Sequence, residues 1–255
     1  MNRTLFHHYR KLYRQAFVPI FVKDEWNTET LLEGCRLAGV EVIEYTLRRE
    51  DAACVIPTLK QKYPEFTVVV GSTIDSAPIV SQMKAKVPQL MTLEELAPFT
   101  DGFVSMLPFS DETLSRYAAT HLMFPTAQTG GEALRQMRAG ATFIKVLGPD
   151  FSFSKSLHAA PTFDYCPTFL TGGVTLERME EAFACGNELC ASGFDVILRG
   201  IDPKEADASL VAERLALFTE AAKRARGLAR PSLSEVEKLS DEEFLKALPH
   251  YCSVI

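Results

Sequence analysis

Short apolar runs rich in β-branched and aromatic residues recur along the chain, and they restrict its fold more than any other feature. Eight such runs can be counted, each with the length of a buried strand. They cover residues 17–22, 40–46, 67–71, 102–106, 121–124, 143–146, 168–170 and 189–191. Between most of them the apolar residues follow helical periodicity, as in residues 30–37 and 134–138. The pattern therefore predicts strands that alternate with helices.

The spacing of the runs indicates which α/β architecture they build. Successive runs start about 20 to 35 residues apart, the length of a strand, a crossover helix and two loops. Eight such units predict a (β/α)₈ barrel. Gly39, Gly140 and Gly186 follow helical segments, where glycine ends a helix in the left-handed conformation. A doubly wound open sheet is the alternative, but no Gly-x-Gly-x-x-Gly follows the first strand, which disfavours dinucleotide binding.

Helices are expected before and after the barrel. The N-terminal 14 residues are basic and aromatic, without the apolar stretch of a signal peptide. One long amphipathic helix is predicted over residues 203–227. Beyond Pro231, Ser232 to Glu235 and Ser240 to Glu243 have capping-box form, which predicts short helices within residues 232–248. We expect one barrel domain over residues 1–228, including an N-terminal helix, and a helical extension over residues 229–255, packed on the barrel or on a neighbouring subunit.

Composition excludes several classes of function. A net charge of −6 argues against general nucleic-acid binding, which needs a basic surface. No apolar run approaches membrane-spanning length. The six cysteines are scattered, with no Cys-x-x-Cys pair and no histidine at zinc-ligand spacing, so free thiols are expected rather than disulfides or a metal site. We expect a cytoplasmic protein without a metal or cofactor.

Lys145 stands in the apolar run Phe143 to Val146, where a charge is unusual. Burial lowers the pKa of a lysine, and the neutral amine can attack a carbonyl. Glu44 and Thr46 share one face of the second strand by alternation, and Arg48 follows it. In a parallel barrel the carboxyl ends of the strands share one mouth, so these side chains are expected to converge.

Each of these residues also has an ordinary explanation. A lone lysine at a strand end is usually solvated. Glu44 and Arg48 could form a surface ion pair of little energetic value. Thr73 could simply end a strand, and Thr171-Gly172-Gly173 could be an ordinary turn, expected before a helix that starts near Thr175.

Taken together, the set resembles a known family. Glu-x-Thr-Leu-Arg at Glu44 to Arg48, Gly71-Ser72-Thr73, Lys145, and Thr171-Gly172-Gly173 occur in the order found in the KDPG/KHG aldolases, which act on 2-keto-3-deoxy-6-phosphogluconate and 4-hydroxy-2-oxoglutarate. The likeness runs from about Val18 to Ala191.

The resemblance implies a metal-independent class I aldolase that forms pyruvate and, like its family, is a homotrimer. Lys145 would be the Schiff-base nucleophile and Glu44 the general acid and base. The residues expected to contact a small 2-keto acid substrate are Arg48, Thr73, Pro108, Thr171, Gly172, Gly173 and Gly193.

Several positions depart from the family pattern. Lys145-Val146-Leu147-Gly148 replaces the usual Lys-Phe-Phe-Pro, Leu107-Pro108 replaces Ser-Pro, Pro125-Thr126 replaces Pro-Gly, and Phe194 replaces the serine of a Gly-Gly-Ser phosphate turn. The long segment of residues 148–167, with Lys155 and His158, is expected to reshape the mouth. Two alternatives therefore stay open: a non-catalytic barrel that binds a keto acid or sugar acid, and, less consistent with Glu44 to Arg48, an epimerase or isomerase.

Overall fold

The computed structural model describes residues 2–160 and 166–250, and its strands follow the predicted runs closely. The eight strands are β1 (Phe17–Phe21), β2 (Val42–Thr46), β3 (Thr67–Thr73), β4 (Gly102–Ser105), β5 (Leu122–Phe124), β6 (Ile144–Leu147), β7 (Thr168–Thr171) and β8 (Leu189–Gly193). All pairings are parallel, in the order β5-β4-β3-β2-β1-β8-β7-β6. The open side between β5 and β6 is bridged at Thr126 and Lys145, where Lys145 N–H donates to the Pro125 carbonyl at 2.8 Å. The predicted (β/α)₈ barrel is confirmed.

Helices surround the barrel and connect each strand to the next. They are α1 (Arg3–Gln15), α2 (Thr28–Leu37), α3 (Ala52–Lys62), α4 (Ala77–Met83), α5 (Leu93–Leu96), α6 (Asp111–Tyr117), α7 (Gly130–Arg138), α8 (Ser152–Ala159), α9 (Met179–Ala184), α10 (Phe194–Ile197), α11 (Ala208–Ala229) and α12 (Asp241–Ala247), with 3₁₀ helices at Ala97–Phe99, Pro231–Leu233 and Val236–Lys238. Gly39, Gly140 and Gly186 have φ of 68°, 109° and 96°, as expected for glycines that end helices. None of the helices in the described residues is long and apolar enough to span a membrane.

Two predicted helix starts and one predicted capping box were wrong. The long helix begins at Ala208 rather than Pro203, because Asp207 accepts the N–H of Leu210 and caps it there. The helix after β7 begins at Met179 and not near Thr175. Ser232 forms no capping box, since its hydroxyl donates to the Ala247 carbonyl at 2.9 Å.

Alternation along the strands separates two layers of core. One layer lies between the sheet and the surrounding helices, and it includes Ile43, Tyr45 and Phe194. The other fills the barrel interior. Its strand residues are Val18, Ile20, Val42, Val69, Val104, Leu122, Phe124, Phe143, Phe169, Leu189 and Ala191. The residue two positions further along each strand lies on the same inner face, closer to the barrel mouth.

The N-terminal end of the barrel is covered by α1 and by the segment after α11. Phe244 of α12 packs on Phe6, Tyr9 and Tyr13 of α1, with ring centroids 5.3 to 6.1 Å apart. Tyr9 in turn stacks on Phe143 inside the barrel at 5.4 Å. The capping box of Ser240 and Glu243 is present as predicted. Both ends of the chain thus contribute to the interior core of the barrel.

The described cysteines carry free thiols, as expected. Cys252 lies outside the described residues, as do parts of the segments 148–167 and 229–255.

Candidate active site

Lys145 and Glu44 both lie on the inner face of the barrel near its C-terminal mouth. Lys145 is two residues beyond Phe143 on β6, and Glu44 is two residues beyond Val42 on β2, so both side chains point inward. They are buried, with 4% and 1% of their surface exposed. Lys145 is therefore not a solvated strand-end lysine, and Glu44 forms no surface ion pair with Arg48.

Burial shifts both ionisable groups towards their neutral forms. Desolvation lowers the pKa of Lys145, with the Glu44 carboxylate acting in the opposite direction and Arg48 adding to the decrease. Desolvation also raises the pKa of Glu44, against the opposing effects of Lys145 and Arg48. The three groups therefore interact electrostatically, and burial disfavours the charged form of both the amine and the acid.

Three buried oxygens at this mouth lack hydrogen-bond partners among the described residues: Glu44 Oε2, Thr46 Oγ1 and Thr171 Oγ1. Unpaired buried polar atoms are rare in folded proteins and are concentrated where a water or ligand binds. Thr46 is two residues beyond Glu44 and Thr171 is two beyond Phe169, so both face inward. The convergence indicates a polar site with hydrogen-bonding capacity that no described protein group uses.

Gly71 provides the space that Glu44 occupies. A Cβ at this position on β3 would lie 2.2 Å from Glu44 Oε1 and 2.9 Å from Thr46 Cγ2. Only glycine fits such a close approach. The sequence contained a signal for this residue, a glycine at the end of an apolar run, but the interpretation assigned the function to Thr73.

Thr73 is buried at the end of β3. Ser72 has a φ of 62°, at an irregularity in the pairing of β3 with β4. The side chain of the next residue, Thr73, is fully buried. Its hydroxyl donates to the Val104 carbonyl at 3.0 Å. The hydroxyl proton is therefore used inside the protein, where it fastens β3 to β4.

Met106 is a site residue that the sequence interpretation missed. Its sulfur accepts a hydrogen bond from Lys145 Nζ at 3.5 Å, and 44% of its surface is exposed. It lies two residues beyond Val104, so alternation along β4 was the available signal. Pro108, which was assigned to the site, lies exposed in the following loop.

Arg48 and Arg49 have different roles. Arg48 is exposed beyond β2, and its side chain forms no hydrogen bond or ion pair within the described part of the chain. Arg49 is buried, where it donates to the Lys23 and Trp26 carbonyls and pairs with Asp51 at 3.0 Å. Arg48 can therefore bind an anion, whereas Arg49 fastens the loops after β1 and β2.

The loops after β6, β7 and β8 are tightly packed at the mouth. Gly172 and Gly173 both have positive φ, 86° and 70°, and a Cβ on Gly173 would lie 2.7 Å from Pro149 Cα. Leu147 is half-buried beyond Lys145, where alternation points it towards the mouth. Gly193 ends β8 beside Asp195 and Val22.

Lys155 and His158, in the segment 148–167 that was expected to reshape the mouth, do not lie at the mouth themselves. Both lie on α8, the crossover helix that runs back from β6 to the start of β7. His158 Nε2 is 3.0 Å from Thr168 Oγ1, at the N-terminal end of β7. These residues therefore lie towards the opposite end of the barrel from Lys145.

Comparison with known proteins found a curated relative that is an aldolase. A 2-dehydro-3-deoxy-phosphogluconate aldolase of Pseudoalteromonas atlantica is 27% identical over 187 residues, which cover 69% of this chain and 77% of the relative. The chain is thus similar to a KDPG aldolase over about two thirds of its length. A scan against models of known protein families found no match.

Solved structures of KDPG aldolases share the fold. The KDPG aldolase of Zymomonas mobilis ZM4 with 3-phosphoglycerate aligns with a TM-score of 0.64 and 14% identity, covering 84% of this chain and 96% of that one. The KDPG aldolase of Legionella pneumophila, with pyruvate captured as a covalent carbinolamine, aligns with a TM-score of 0.60 and 18% identity, covering 82% and 97%. At these identities, the structural likeness establishes the barrel fold.

Proposed function

We propose that this chain is a class I aldolase, which cleaves a 2-keto-3-deoxy acid to pyruvate and an aldehyde through a Schiff base on Lys145. One observation carries the proposal: a buried amine and a buried carboxyl group with an unpartnered oxygen share the inner face of the barrel mouth. The relative from Pseudoalteromonas atlantica, a phosphogluconate-type aldolase, supports the same assignment.

Lys145 acts as the nucleophile. Its lowered pKa increases the fraction of neutral amine, which adds to the C2 carbonyl of the keto acid and gives a carbinolamine. Loss of water then gives a cationic iminium. Met106 accepts only a weak hydrogen bond to sulfur from the amine, so the nitrogen is easily released for attack.

Glu44 transfers the protons. With a raised pKa and a free oxygen, it protonates the departing carbinolamine hydroxyl and becomes a carboxylate. The carboxylate then removes the proton from the C4 hydroxyl as the C3–C4 bond breaks. The electron pair of that bond moves to the iminium nitrogen and forms an enamine, while C4 leaves as an aldehyde. Protonation of the enamine at C3 and hydrolysis release pyruvate and restore the amine.

This route is metal-independent, because the iminium is the electron sink that a metal ion supplies in other aldolases. We assign binding of the substrate carboxylate to Arg48, whose guanidinium fork matches a carboxylate, and to the unpartnered hydroxyl of Thr171. Gly172 and Gly173 bring backbone close to the same group, and Gly193 and Pro108 border the mouth. Thr73 supports this wall through its bond to Val104.

The resemblance to the family also leads us to propose a cytoplasmic homotrimer with a small-molecule substrate, which binds neither nucleic acid nor membrane. Light scattering during size-exclusion chromatography tests the trimer. A mass about three times that of the 28.3 kDa chain is expected; a monomer would contradict this part of the proposal.

Borohydride trapping tests the chemistry directly. Incubation with pyruvate and borohydride should reduce the imine and add a pyruvate-derived mass to the peptide that contains Lys145. Lys145→Met should fold, form no adduct and lose pyruvate release in an assay coupled to lactate dehydrogenase. Lys155→Met, on the exposed surface of α8, is the matched control.

An adduct on another lysine, or aldol cleavage by Lys145→Met, would refute the assignment. Pyruvate binding by calorimetry without any adduct would instead identify a non-catalytic keto-acid-binding barrel. The replacement of two aromatic residues by Val146 and Leu147 after Lys145 is the observation that keeps this second function open.

A further inference from the structure

The loops after β7 and β8 determine which terminal group a substrate can carry. Barrel enzymes that act on phosphorylated substrates commonly bind the phosphate with these two loops and the short helix that follows. In this chain the loops comprise residues 171–178 and 193–198. Their charged residues are Glu177, Arg178 and Asp195, two carboxylates and one cation.

The Arg178 guanidinium already forms hydrogen bonds and an ion pair with other protein groups. Its guanidinium donates to the Pro149 carbonyl and pairs with Glu181 at 3.0 Å. It also lies over the Phe151 ring, 4.0 Å from its centre. Arg178 thus fastens the loop after β6 to the loop after β7, and residues 171–178 and 193–198 contain no other cation. The next cation, Arg199, is exposed and interacts electrostatically with Glu177.

Asp195 is directed over the inner side of Gly193. Leu189 and Ala191 of β8 face the barrel interior, so position 193 faces the mouth. A Cβ at Gly193 would lie 2.3 Å from Asp195 Oδ1 and 2.9 Å from Val22 Cγ1. The carboxylate therefore occupies the place where a side chain at 193 would project. Within the described residues it forms no hydrogen bond or ion pair, so its oxygens are available to a substrate.

Neighbouring hydroxyl and aromatic groups do not change the charge of these loops. The Ser192 hydroxyl donates to the Val174 carbonyl at 2.6 Å and is buried. Phe194, expected to place a phenyl ring at the phosphate end, instead packs edge-on against Phe21 at 4.9 Å in the outer core. The side chain that faces the mouth from this turn is Asp195.

We infer that Asp195 is a specificity-determining residue, which selects a 2-keto-3-deoxy acid with an uncharged hydroxyl terminus over the corresponding phosphate ester. A carboxylate accepts hydrogen bonds from sugar hydroxyls, whereas it repels a phosphate dianion. The inference rests on the proposed aldolase function and deepens it by naming the class of substrate.

The test compares two six-carbon substrates, a 2-keto-3-deoxy sugar acid with a free C6 hydroxyl and its 6-phosphate, in the coupled pyruvate assay. The wild type should have the higher kcat/KM for the unphosphorylated acid. Asp195→Asn should raise kcat/KM for the phosphate about tenfold and lower it for the free acid, because one repulsion at close range is removed. Asp195→Glu should keep the wild-type preference. Glu213→Gln, an exposed site on α11 with the same change in charge, should leave both values unchanged.

Ionic strength provides a second readout that a purely structural role would not change. Salt should narrow the wild-type preference by screening the repulsion, and it should have little effect on that preference in Asp195→Asn. A wild type that prefers the phosphate, or an unchanged ratio in Asp195→Asn, would overturn the inference while leaving the Schiff-base chemistry intact. Absence of both the Lys145 adduct and pyruvate release would instead refute the proposed function.

Discussion

Gly71→Ala should slow the reaction strongly without unfolding the barrel. The new Cβ would lie 2.2 Å from Glu44 Oε1 and 3.0 Å from Glu44 Cδ, where ordinary contact begins at 3.4 Å. Gly71 is held within β3 by pairing with Thr46 and Val104, so the backbone cannot retreat. The Glu44 carboxylate must therefore move by about 1.2 Å. A displacement of this size at a reacting group costs roughly 100-fold in rate.

The coupled assay should show this loss mainly in kcat, because the groups assigned to the substrate carboxylate are untouched. Borohydride trapping should still find the adduct on Lys145, but it should form more slowly, since Glu44 no longer transfers protons efficiently. Overpacking should lower the free energy of unfolding by about 1 to 3 kcal/mol.

Gly131→Ala is the matched control. No atom lies within 4 Å of a Cβ at Gly131, which is on α7, so alanine there should leave kcat unchanged and slightly stabilise the helix. A folded Gly71→Ala that keeps kcat within about threefold of the wild type would show that the position of Glu44 does not limit the reaction.

Two further predictions concern pH and stability. The amine reacts when deprotonated, so the rate of imine trapping should fall as pH drops below the Lys145 pKa. Glu44→Gln should move this fall to lower pH, because the Glu44 carboxylate raises the pKa of Lys145. Glu41→Gln is the control and should leave the profile unchanged, since Glu41 pairs with Arg14. An unshifted profile would contradict the coupling. Phe244→Ala should lower the free energy of unfolding by about 3 to 5 kcal/mol in denaturant titration but preserve kcat below the unfolding transition, since Phe244 packs at the end of the barrel opposite Lys145. Equal stability would show that α12 is not part of the core.

The buried pair has a consequence for stability as well as catalysis. The folded-state pKa of Glu44 is raised, so its contribution to stability is largest at low pH and falls as pH rises through that pKa. The pKa of Lys145 is lowered, so its contribution falls as pH drops from the ordinary lysine value towards the folded value. Near neutral pH both groups oppose folding, as expected of a site selected for reactivity rather than stability.

Much of the architecture could be predicted from the sequence because the signals are local. Apolar runs and their spacing located all eight strands, and alternation placed Glu44 and Thr46 on one face of β2. Glycines marked three helix ends. Helix starts were predicted less accurately where an N-capping side chain sets them, as at Asp207, because a single side-chain contact shifts the start of a helix by several residues.

The sequence by itself determined the eight strands, their alternation with helices and the face of β2 that carries Glu44, because strand periodicity depends only on neighbouring residues. Closure of the sheet into a barrel was decided by the tertiary structure. The tertiary structure alone decided which of these groups remain available to a substrate. In the folded structure the Thr73 hydroxyl donates a hydrogen bond to the Val104 carbonyl, the Met106 sulfur lies beside Lys145, and the Asp195 carboxylate lies over Gly193. The physical reason is that these contacts depend on how strands pair and how loops fold, and residues far apart in the chain then compete for the same space and the same hydrogen bonds.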